Sequence, residues 1–257
     1  MNYGIGLLSV VPCRLEPSDS SEMVTQLLFG ETVKIYEEKR ADWRKIKTAH
    51  DNYECWVDKK QIIEIPEEEF NEINSSSFVS SDLVHVIKES SEITPIVLGS
   101  SLPNLSDDIV TFNNTQYIFD GSSTQASSNP EKSKLVENAF MYLNSPYLWG
   151  GRSPFGIDCS GLSQIVYKLV GFSLPRDASQ QAEIGQTLSF VEESEPGDLA
   201  FFDNEEGNII HVGIVLENNM IIHASGNVRI DRLDHQGIYN IDTNRYSHRL
   251  RLIKKII

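Results

Sequence analysis

The chain has 257 residues, of which 40% are hydrophobic, and this is enough to bury the cores of one to three domains. Asp and Glu together number 37 against 22 Lys and Arg, so the formal net charge is −15 at pH 7. Because such an acidic surface repels phosphates and anionic lipid headgroups, neither nucleic acid nor a membrane is expected as a partner.

The three cysteines, Cys13, Cys55 and Cys159, are widely separated and odd in number. Their spacing fits neither a disulfide framework nor a Cys-x-x-Cys metal pair, and we expect no cofactor. Residues 1–11 lack the basic start and cleavage site of a signal peptide, and no apolar run approaches the roughly 20 residues of a membrane span. We therefore expect a cytoplasmic protein, or a periplasmic or secreted one if a leader has been removed.

Residues 1–65 contain short apolar segments separated by turn residues, a spacing typical of a small all-β barrel. The segments are 23–29, 32–36, 43–46 and 53–57. The pattern resembles a bacterial SH3-like domain, in which residues 14–18 match the opening segment, 28–31 a turn, and Trp56-Val57 the closing strand.

A second β-rich block is predicted for residues 66–125. It begins with a charged, Ser-rich passage at Pro66 that we interpret as a linker with one helical turn. The strand-like segments 84–87, 93–98, 109–112 and 117–119 follow, and they resemble a second, diverged SH3-like domain. The polar run 122–129 is predicted to be an interdomain linker.

The third region, residues 130–257, opens with a helix predicted over 134–143. A stronger amphipathic pattern follows, with apolar residues at i, i+3, i+4, i+7 and i+8 and Gly171 as the stop: Leu162, Ile165, Val166, Leu169 and Val170. Asp158 falls at the N-cap and Cys159 in the first turn. Free N–H groups and the helix dipole there predict a lowered thiol pKa, so Cys159 is a candidate nucleophile. The alternative for this local pattern is a buried structural cysteine.

Two of the six histidines, His211 and His223, fall in adjacent strand candidates joined by the turn 217–219. If Leu216 pairs with Met220, His223 lies opposite Gly213, and both histidines share one face of the hairpin. A nucleophilic cysteine needs a base and usually a group that orients the base, and these two imidazoles can supply both. A helix that carries the nucleophile and packs on this antiparallel sheet gives an α+β fold.

A zinc site made from Cys159, His211 and His223 is a rival use of the same groups, since zinc accepts both thiolate and imidazole ligands. No fourth ligand is found in either motif. We therefore favour catalysis and predict no metal.

The region from about Pro130 to Ile257 resembles the NlpC family of papain-like, bacterial cell-wall cysteine peptidases. The resemblance rests on five motifs in the family's order: Tyr147-x-Trp149-Gly150-Gly151, Asp158-Cys159-Ser160-Gly161, Pro196-Gly197-Asp198-Leu199, His211-Val212-Gly213-Ile214 and Ile222-His223-Ala224-Ser225. It implies a papain-like catalytic domain preceded by two small SH3-like barrels, an arrangement found in a subgroup that acts on freed murein peptides.

By this resemblance Cys159 is the nucleophile, His211 the base and acid, and His223 the residue that orients His211. The implied reaction is hydrolysis of the bond between γ-D-Glu and an L-diamino acid, in murein peptides that begin with a free L-Ala. The products would be L-Ala-D-Glu and the diamino acid part, as in peptidoglycan peptide recycling. The resemblance does not distinguish diaminopimelate from Lys, and we expect a monomer.

The resemblance also implies substrate-binding residues. Asp158, Ser160 and Tyr147 would receive the free L-Ala amine, and Trp149 would form a pocket wall. In the first SH3-like domain, Glu16 and Tyr53 would close the site, while Ala178 replaces a Ser that is frequent in the subgroup. Two other functions stay open: an endopeptidase or amidase acting on intact wall, and a catalytically dead module that binds wall peptides.

Overall fold

The computed structural model describes residues 2–39, 42–75, 78–113, 115–125 and 131–257. The chain divides into two compact units: Met1–Ser127 with Trp149–Pro154, and Ser128–Leu148 with Phe155–Ile257. None of the helices in these ranges has the length and apolar composition of a membrane-spanning segment. The boundaries predicted near residues 65 and 130 stay predictions.

The first unit begins with an antiparallel sheet of seven strands in the order β3-β2-β6-β5-β4-β1-β7. The strands are β1 Asn2–Ile5, β2 Val10–Arg14, β3 Met23–Leu28, β4 Thr32–Lys39, β5 Trp43–Thr48, β6 Glu54–Asp58 and β7 Ile63–Ile65, with a 3₁₀ turn at Lys59–Gln61. Alternating side chains such as Val33, Ile35 and Ile46 are buried, which is the pattern of a sheet with one face on a core. The all-β prediction for residues 1–65 is confirmed.

The segment interpreted as a linker is instead a nine-residue helix, α1 Glu67–Ser75. Phe70 and Ile73, three residues apart, lie on one face and are buried in a cluster with Tyr3 and Ile5. Burial of that apolar face stabilises a helix that its charged sequence alone would not.

The second β-rich block packs into the same cluster through Ile87, Val110 and Phe119. Four of its strands form a sheet in the order β10-β9-β12-β11, and β13 pairs with β8. The strands are β8 Phe78–Ser80, β9 Val84–Glu89, β10 Glu92–Val97, β11 Ile109–Phe112, β12 Thr115–Ile118 and β13 Ser123–Gln125. Part of the predicted linker is thus strand β13, and residues 126–129 of it lie outside the described residues.

A buried ion pair fixes segment 149–154 within the first unit. The Arg152 guanidinium donates to both carboxylate oxygens of Glu31, at 2.7 and 2.9 Å, and to the Gln26 carbonyl at 2.6 Å. The backbone N–H of Arg152 also donates to the side-chain oxygen of Gln26 at 2.7 Å. Gly150 has φ of +77°, and a Cβ there would collide with the Met23 carbonyl, so only glycine lets the segment approach β3 so closely.

The remaining elements follow in chain order. They are α2 Lys132–Phe140, β14 Arg152–Ser153, β15 Gly156–Ile157, α3 Cys159–Leu169, α4 Ala178–Gln181, β16 Gln186–Leu188, a 3₁₀ turn Val191–Glu193, β17 Leu199–Asp203, β18 Ile209–Leu216, β19 Met220–Ser225, β20 Asn227–Leu233, β21 Gly237–Asn240 and β22 Arg245–Lys255. In the second unit, α3 packs on β18 and β19 and buries the predicted apolar stripe, including Leu162, Ile165 and Val166. The α+β arrangement of a nucleophile-bearing helix on an antiparallel sheet is confirmed for this unit.

The sheet of the second unit closes on itself. Its order is β16-β22-β17-β18-β19-β20-β21, and the eleven-residue β22 pairs with β17 along one part and with β21 along the other. Gly237 has φ of +142°, and any side chain there would collide with the carbonyl of His248 on β22. The close approach at this glycine permits the closure, and the His248 ring of β22 then lies against the rings of His211 on β18 and His223 on β19.

We expect Glu31→Gln to reduce the free energy of unfolding of the first unit by about 3–5 kcal/mol, because it leaves the Arg152 charge buried without its counter-ion. Urea unfolding followed by tryptophan fluorescence measures this selectively, since Trp43, Trp56 and Trp149 all lie in the first unit. The matched control is Glu54→Gln. Glu54 is 53% exposed and pairs with Lys45 and Lys47, so its loss should cost less than about 1 kcal/mol. Equal effects of the two substitutions would contradict the role given to the buried pair.

Candidate active site

The candidate nucleophile lies where the sequence predicts it. Cys159 is the first residue of α3, and the Asp158 carboxylate caps the helix by accepting from the Gly161 N–H at 2.6 Å. The thiol faces β18, because the backbone of Val212 hydrogen-bonds to it. Only 8% of Cys159 is exposed. The strand neighbour of Val212 is His211, so the thiol and the candidate base come from two adjacent elements.

The predicted lowering of the thiol pKa is wrong for the free enzyme. Burial raises the pKa of Cys159 to about 12, and the negative charge of Asp158 acts in the same direction. Backbone hydrogen bonds from Val212 and Ser160 and the charge of Arg176 oppose this shift without cancelling it. The rise in thiol pKa from lost hydration is therefore larger than the lowering expected from the N-terminus of α3. The thiol is protonated at neutral pH and needs a base to become a nucleophile.

The predicted hairpin register is confirmed. Leu216 pairs with Met220 and Gly213 with His223, and Asn218 and Asn219 take the positive φ angles of the turn. Nε2 of His211 and Nδ1 of His223 lie 2.9 Å apart, and both rings are buried. The structure thus provides the contact between base and orienter that the shared face predicts.

An acidic residue that the sequence reasoning missed extends this contact. Oδ2 of Asp231, on β20, lies 3.1 Å from Nε2 of His223, and the Asp231 side chain is fully buried. Although burial acts to raise it, hydrogen bonds from His223 and Arg229 hold the pKa of Asp231 below its usual range. The register of the next strand pair carries the signal for Asp231: β20 pairs His223 with Arg229, so Asp231 lies diagonally across from His223.

The carboxylate decides which ring nitrogens carry protons. An ionised Asp231 only accepts, so Nε2 of His223 carries the proton and Nδ1 of His223 carries a lone pair. That lone pair accepts a hydrogen bond from the protonated Nε2 of His211, which leaves Nδ1 of neutral His211 unprotonated. Nδ1 is the nitrogen not engaged with His223, and it is therefore the ring nitrogen of His211 left to accept a proton.

His211 is also held in the neutral form. Burial, followed by its neighbours His248 and His223, places the pKa of His211 well below 6.5. A neutral imidazole at physiological pH is a competent base from the start. Both shifts favour an uncharged thiol and imidazole over an ion pair.

A third imidazole stands beside the base. His248, on β22, stacks on His211 with ring centroids 4.1 Å apart and planes at 19°. Burial and the neighbouring His223 lower the pKa of His248 to about 4. The sequence alone gives no function to His248, because only the closure of the sheet brings β22 to this position.

Among the described residues, the group able to hold a metal ion consists of His211, His223 and His248, with one nitrogen of each within 4.8 Å of the others. The zinc set considered from sequence, in which Cys159 joined two histidines, is not the set that converges. The hydrogen-bonded line from Asp231 to His211 and the neighbouring thiol form instead the arrangement of a cysteine hydrolase.

Comparison with known proteins agrees with this geometry. Residues 144–246 match the model of the NlpC/P60 family, and residues 14–62 match that of the bacterial dipeptidyl-peptidase SH3 domain. The chain is 28% identical over 254 residues to dipeptidyl-peptidase 6 of Lysinibacillus sphaericus, covering 86% of this chain and 88% of that protein. It is 27% identical over 232 residues to a gamma-D-glutamyl-L-lysine dipeptidyl-peptidase of Bacillus cereus, covering 80% and 68%.

The protein is a cysteine peptidase with an NlpC/P60 domain. Its fold is that of a crystallised NlpC/P60 family protein from Bacillus cereus, with a TM-score of 0.83, 22% identity, and 98% and 99% of the two chains covered. The matched SH3 domain confirms the interpretation of residues 1–65, whereas a second SH3-like domain stays a prediction.

Three of the predicted substrate-binding residues lie beside the thiol of the NlpC/P60 domain. The Asp158 carboxylate forms a bidentate ion pair with buried Arg176, at 3.0 and 2.5 Å, and Arg176 also donates to the Ser160 hydroxyl at 2.9 Å. Burial raises the pKa of Tyr147 to about 12, and the neighbouring Cys159 and Asp158 act in the same direction. Arg176 is a partner that the sequence reasoning did not assign.

The other three belong to the first unit. Trp149 is 60% exposed, and its indole N–H donates to Glu22 at 2.6 Å. Glu16 is exposed, and Tyr53 is half-buried against the core of the first sheet. Substrate-binding functions for these three residues stay predictions.

The hydrogen bonds that run from Asp231 through His223 to His211, here called the proton line, make Asp231→Asn the most informative substitution in the NlpC/P60 domain. The Asn amide can donate to Nε2 of His223, which would reverse the line and protonate Nδ1 of His211, the wrong tautomer for a base. We expect kcat/KM to fall by about 10²- to 10⁴-fold, as losing a correctly oriented base does. Steady-state kinetics will measure this.

Asp231→Ala and Asp242→Asn are the comparison variants. If tautomer control matters, Asn at position 231 should be at least as harmful as Ala, although it is closer in shape to Asp. Asp242 is an exposed partner of the same Arg229, and its substitution should leave kcat/KM nearly unchanged. A mild Asp231→Asn beside a severe Asp231→Ala would indicate a purely structural function.

The neutral resting pair can be observed by titration. With a thiol pKa of about 12, we expect no Cys159-dependent thiolate absorbance at neutral pH, measured as the ultraviolet difference between the native protein and Cys159→Ala. His211 must be neutral to act as a base, and its pKa lies below 6.5. We therefore expect the decrease of kcat/KM on the acid side to have its midpoint below pH 6.5. A thiolate that appears at acidic pH would instead show a preformed ion pair.

Proposed function

We propose that this peptidase hydrolyses the bond between the γ-carboxyl of D-Glu and the amine of an L-diamino acid, in murein peptides with a free N-terminal L-Ala. The observation that carries the proposal is the proton line from Asp231 through His223 to His211. The charged and phenolic groups beside Cys159 add the polar surface that such a peptide needs. The names of the two long relatives, one a gamma-D-glutamyl-L-lysine dipeptidyl-peptidase, support this bond.

The reaction follows from the resting state. Nδ1 of His211 takes the proton of Cys159 as the sulfur attacks the γ-carbonyl carbon, and the imidazolium that forms is stabilised through His223 by the Asp231 carboxylate. The backbone N–H of Cys159 lies at the start of α3, where N–H groups lack helical partners, and it can donate to the oxyanion. His211 then protonates the leaving amine of the diamino acid.

The second half returns the enzyme to its starting point. The thioester joins Sγ of Cys159 to the γ-carbonyl of L-Ala-D-Glu. Water loses a proton to Nδ1 of His211 and attacks this carbonyl, and the released thiolate regains its proton from the same nitrogen. The products are L-Ala-D-Glu and the free amine of the diamino acid part, consistent with turnover of released murein peptides.

Recognition of the free terminus rests on charge. The Asp158 carboxylate and the Tyr147 phenol lie beside the thiol, and a carboxylate favours an ammonium over an acylated nitrogen. Arg176 keeps Asp158 fixed in place from the buried side, and Ser160 bridges the two. The site thus combines a fixed negative charge with a nucleophile a short distance away.

We also propose that residues 66–125 form a second, diverged SH3-like domain. Six short strands within this range support it, four of them in one antiparallel sheet. Limited proteolysis of the full chain would test whether the two blocks form one folding unit, since they share an apolar cluster.

The substrate proposal predicts a preference for free peptide. L-Ala-γ-D-Glu-L-Lys should be cleaved to L-Ala-D-Glu and Lys, and its N-acetylated form roughly 10- to 100-fold more slowly, because acetylation removes a charged hydrogen bond. Chromatographic separation of the products measures both rates. The diaminopimelate-containing peptide, assayed in parallel, identifies the preferred diamino acid.

Two variants serve as controls. Cys159→Ala should abolish cleavage, whereas Cys13→Ala, which removes a buried thiol of the first sheet, should keep it. Equal cleavage of the acetylated peptide would refute recognition of the free amine and point to internal bonds of intact wall. Binding of labelled tripeptide without cleavage would show a binding module instead.

A further inference from the structure

Three imidazoles of the second unit converge, two from one hairpin and the third from the last strand of the chain. His211 lies on β18, His223 on β19 and His248 on β22, and one nitrogen of each lies within 4.8 Å of the others. His248 is only partly buried, whereas His211 and His223 are almost fully buried. The cluster is thus open to an ion from the side of β22.

We propose that these three histidines bind a divalent transition-metal ion of the Zn²⁺ type, and that the bound ion reversibly switches the peptidase off. The binding site stands on the geometry alone. The inhibition rests in addition on the peptidase activity proposed above.

The distances suit such an ion after a small adjustment. Zinc binds imidazole nitrogen at about 2.0–2.1 Å, so two ligands in a tetrahedral site lie about 3.3 Å apart. Nε2 of His211 and Nδ1 of His223 are 2.9 Å apart, joined by the hydrogen bond that the ion would replace. The stacked ring of His248 must tilt away from that of His211 so that its lone pair also points to the ion.

The partner of His223 is already in place. Metal-binding histidines usually donate their other ring N–H to a carboxylate, which fixes the tautomer and makes the ligand more basic. Nε2 of His223 donates such a hydrogen bond to Asp231 at 3.1 Å, so Nδ1 of His223 is the atom that would bind the ion. Three imidazoles leave a fourth coordination position for water.

Inhibition follows from the tautomer of the base. A neutral His211 that binds the ion through Nε2 carries its proton on Nδ1, so it cannot accept the proton of Cys159. The ion also removes the hydrogen bond through which Asp231 controls His211. Cys159 is not part of the converging group, so the thiol itself need not bind the metal.

Direct binding tests the site independently of catalysis. Cys159→Ala protein is titrated with Zn²⁺ in competition with a chromophoric chelator, and we expect one ion to bind. Adding His248→Phe should weaken binding by about 100-fold or more, beyond the roughly 10- to 100-fold typical of losing an outer-shell partner such as Asp231. Phe keeps an aromatic ring against His211. The matched control is His235→Phe, the same change at an exposed histidine of the same unit, which should not alter affinity.

Activity tests the switch. Zn²⁺ should inhibit the otherwise native enzyme, and a chelator should restore it. His248→Phe should require about 100-fold more zinc for the same fractional inhibition, measured against the zinc-free rate of that variant. Unchanged zinc affinity or sensitivity in His248→Phe would overturn the proposal, as would loss of binding in Cys159→Ala alone. If the tripeptide is not cleaved at all, the proposed function fails, while the chelator competition still decides the three-histidine site.

Discussion

The chemistry proposed for this protein depends on one line of buried hydrogen bonds, from Asp231 through His223 to His211. An ionised carboxylate can only accept, and this fact propagates through two rings to place a lone pair on Nδ1 of His211. Arg229 holds the carboxylate from the other side with bonds of 2.7 and 3.0 Å, so the acceptor is both fixed and charged. Removing the negative charge of Asp231 would therefore change the tautomer of His211, to which it is connected through His223.

Burial gives this line its importance. Loss of hydration raises the pKa of the Cys159 thiol and lowers that of His211, which favours the neutral form of both groups and a proton transfer during the proposed attack. The charge that then appears on His211 is met by a carboxylate already in position. The same burial pairs Asp158 with Arg176, so the negative charge beside the nucleophile does not stand alone in the interior.

The closed sheet places these groups together and also creates the conflict that a metal ion would exploit. β22 must pair with both β17 and β21, and in doing so it brings His248 against the base. A third imidazole beside two others is a ligand set for zinc, and the nitrogen that zinc would take on His211 is the one that has to keep its proton for catalysis. Catalysis and metal binding thus require opposite tautomers of one ring.

Much of the site follows from sequence because it is local. The apolar period after Asp158 determines α3 and puts Cys159 at its first residue, and a three-residue turn determines the register that places His211 and His223 on one face. Such features depend on neighbours in the chain, and simple periodicity captures them.

The sequence alone did not determine what depends on contacts between distant segments. The thiol pKa moved opposite to the local expectation because burial is a tertiary property, and α1 is a helix rather than a linker because Phe70 and Ile73 find a core in other strands. Three contacts of the site join residues that are 8 to 37 positions apart. Strand pairing brings Asp231 to His223, a loop brings Arg176 to Asp158, and the closure of the sheet brings His248 to His211. Periodicity placed the nucleophile and its base, whereas only the folded chain decided which nitrogen of the base is free, because that depends on a carboxylate from another strand.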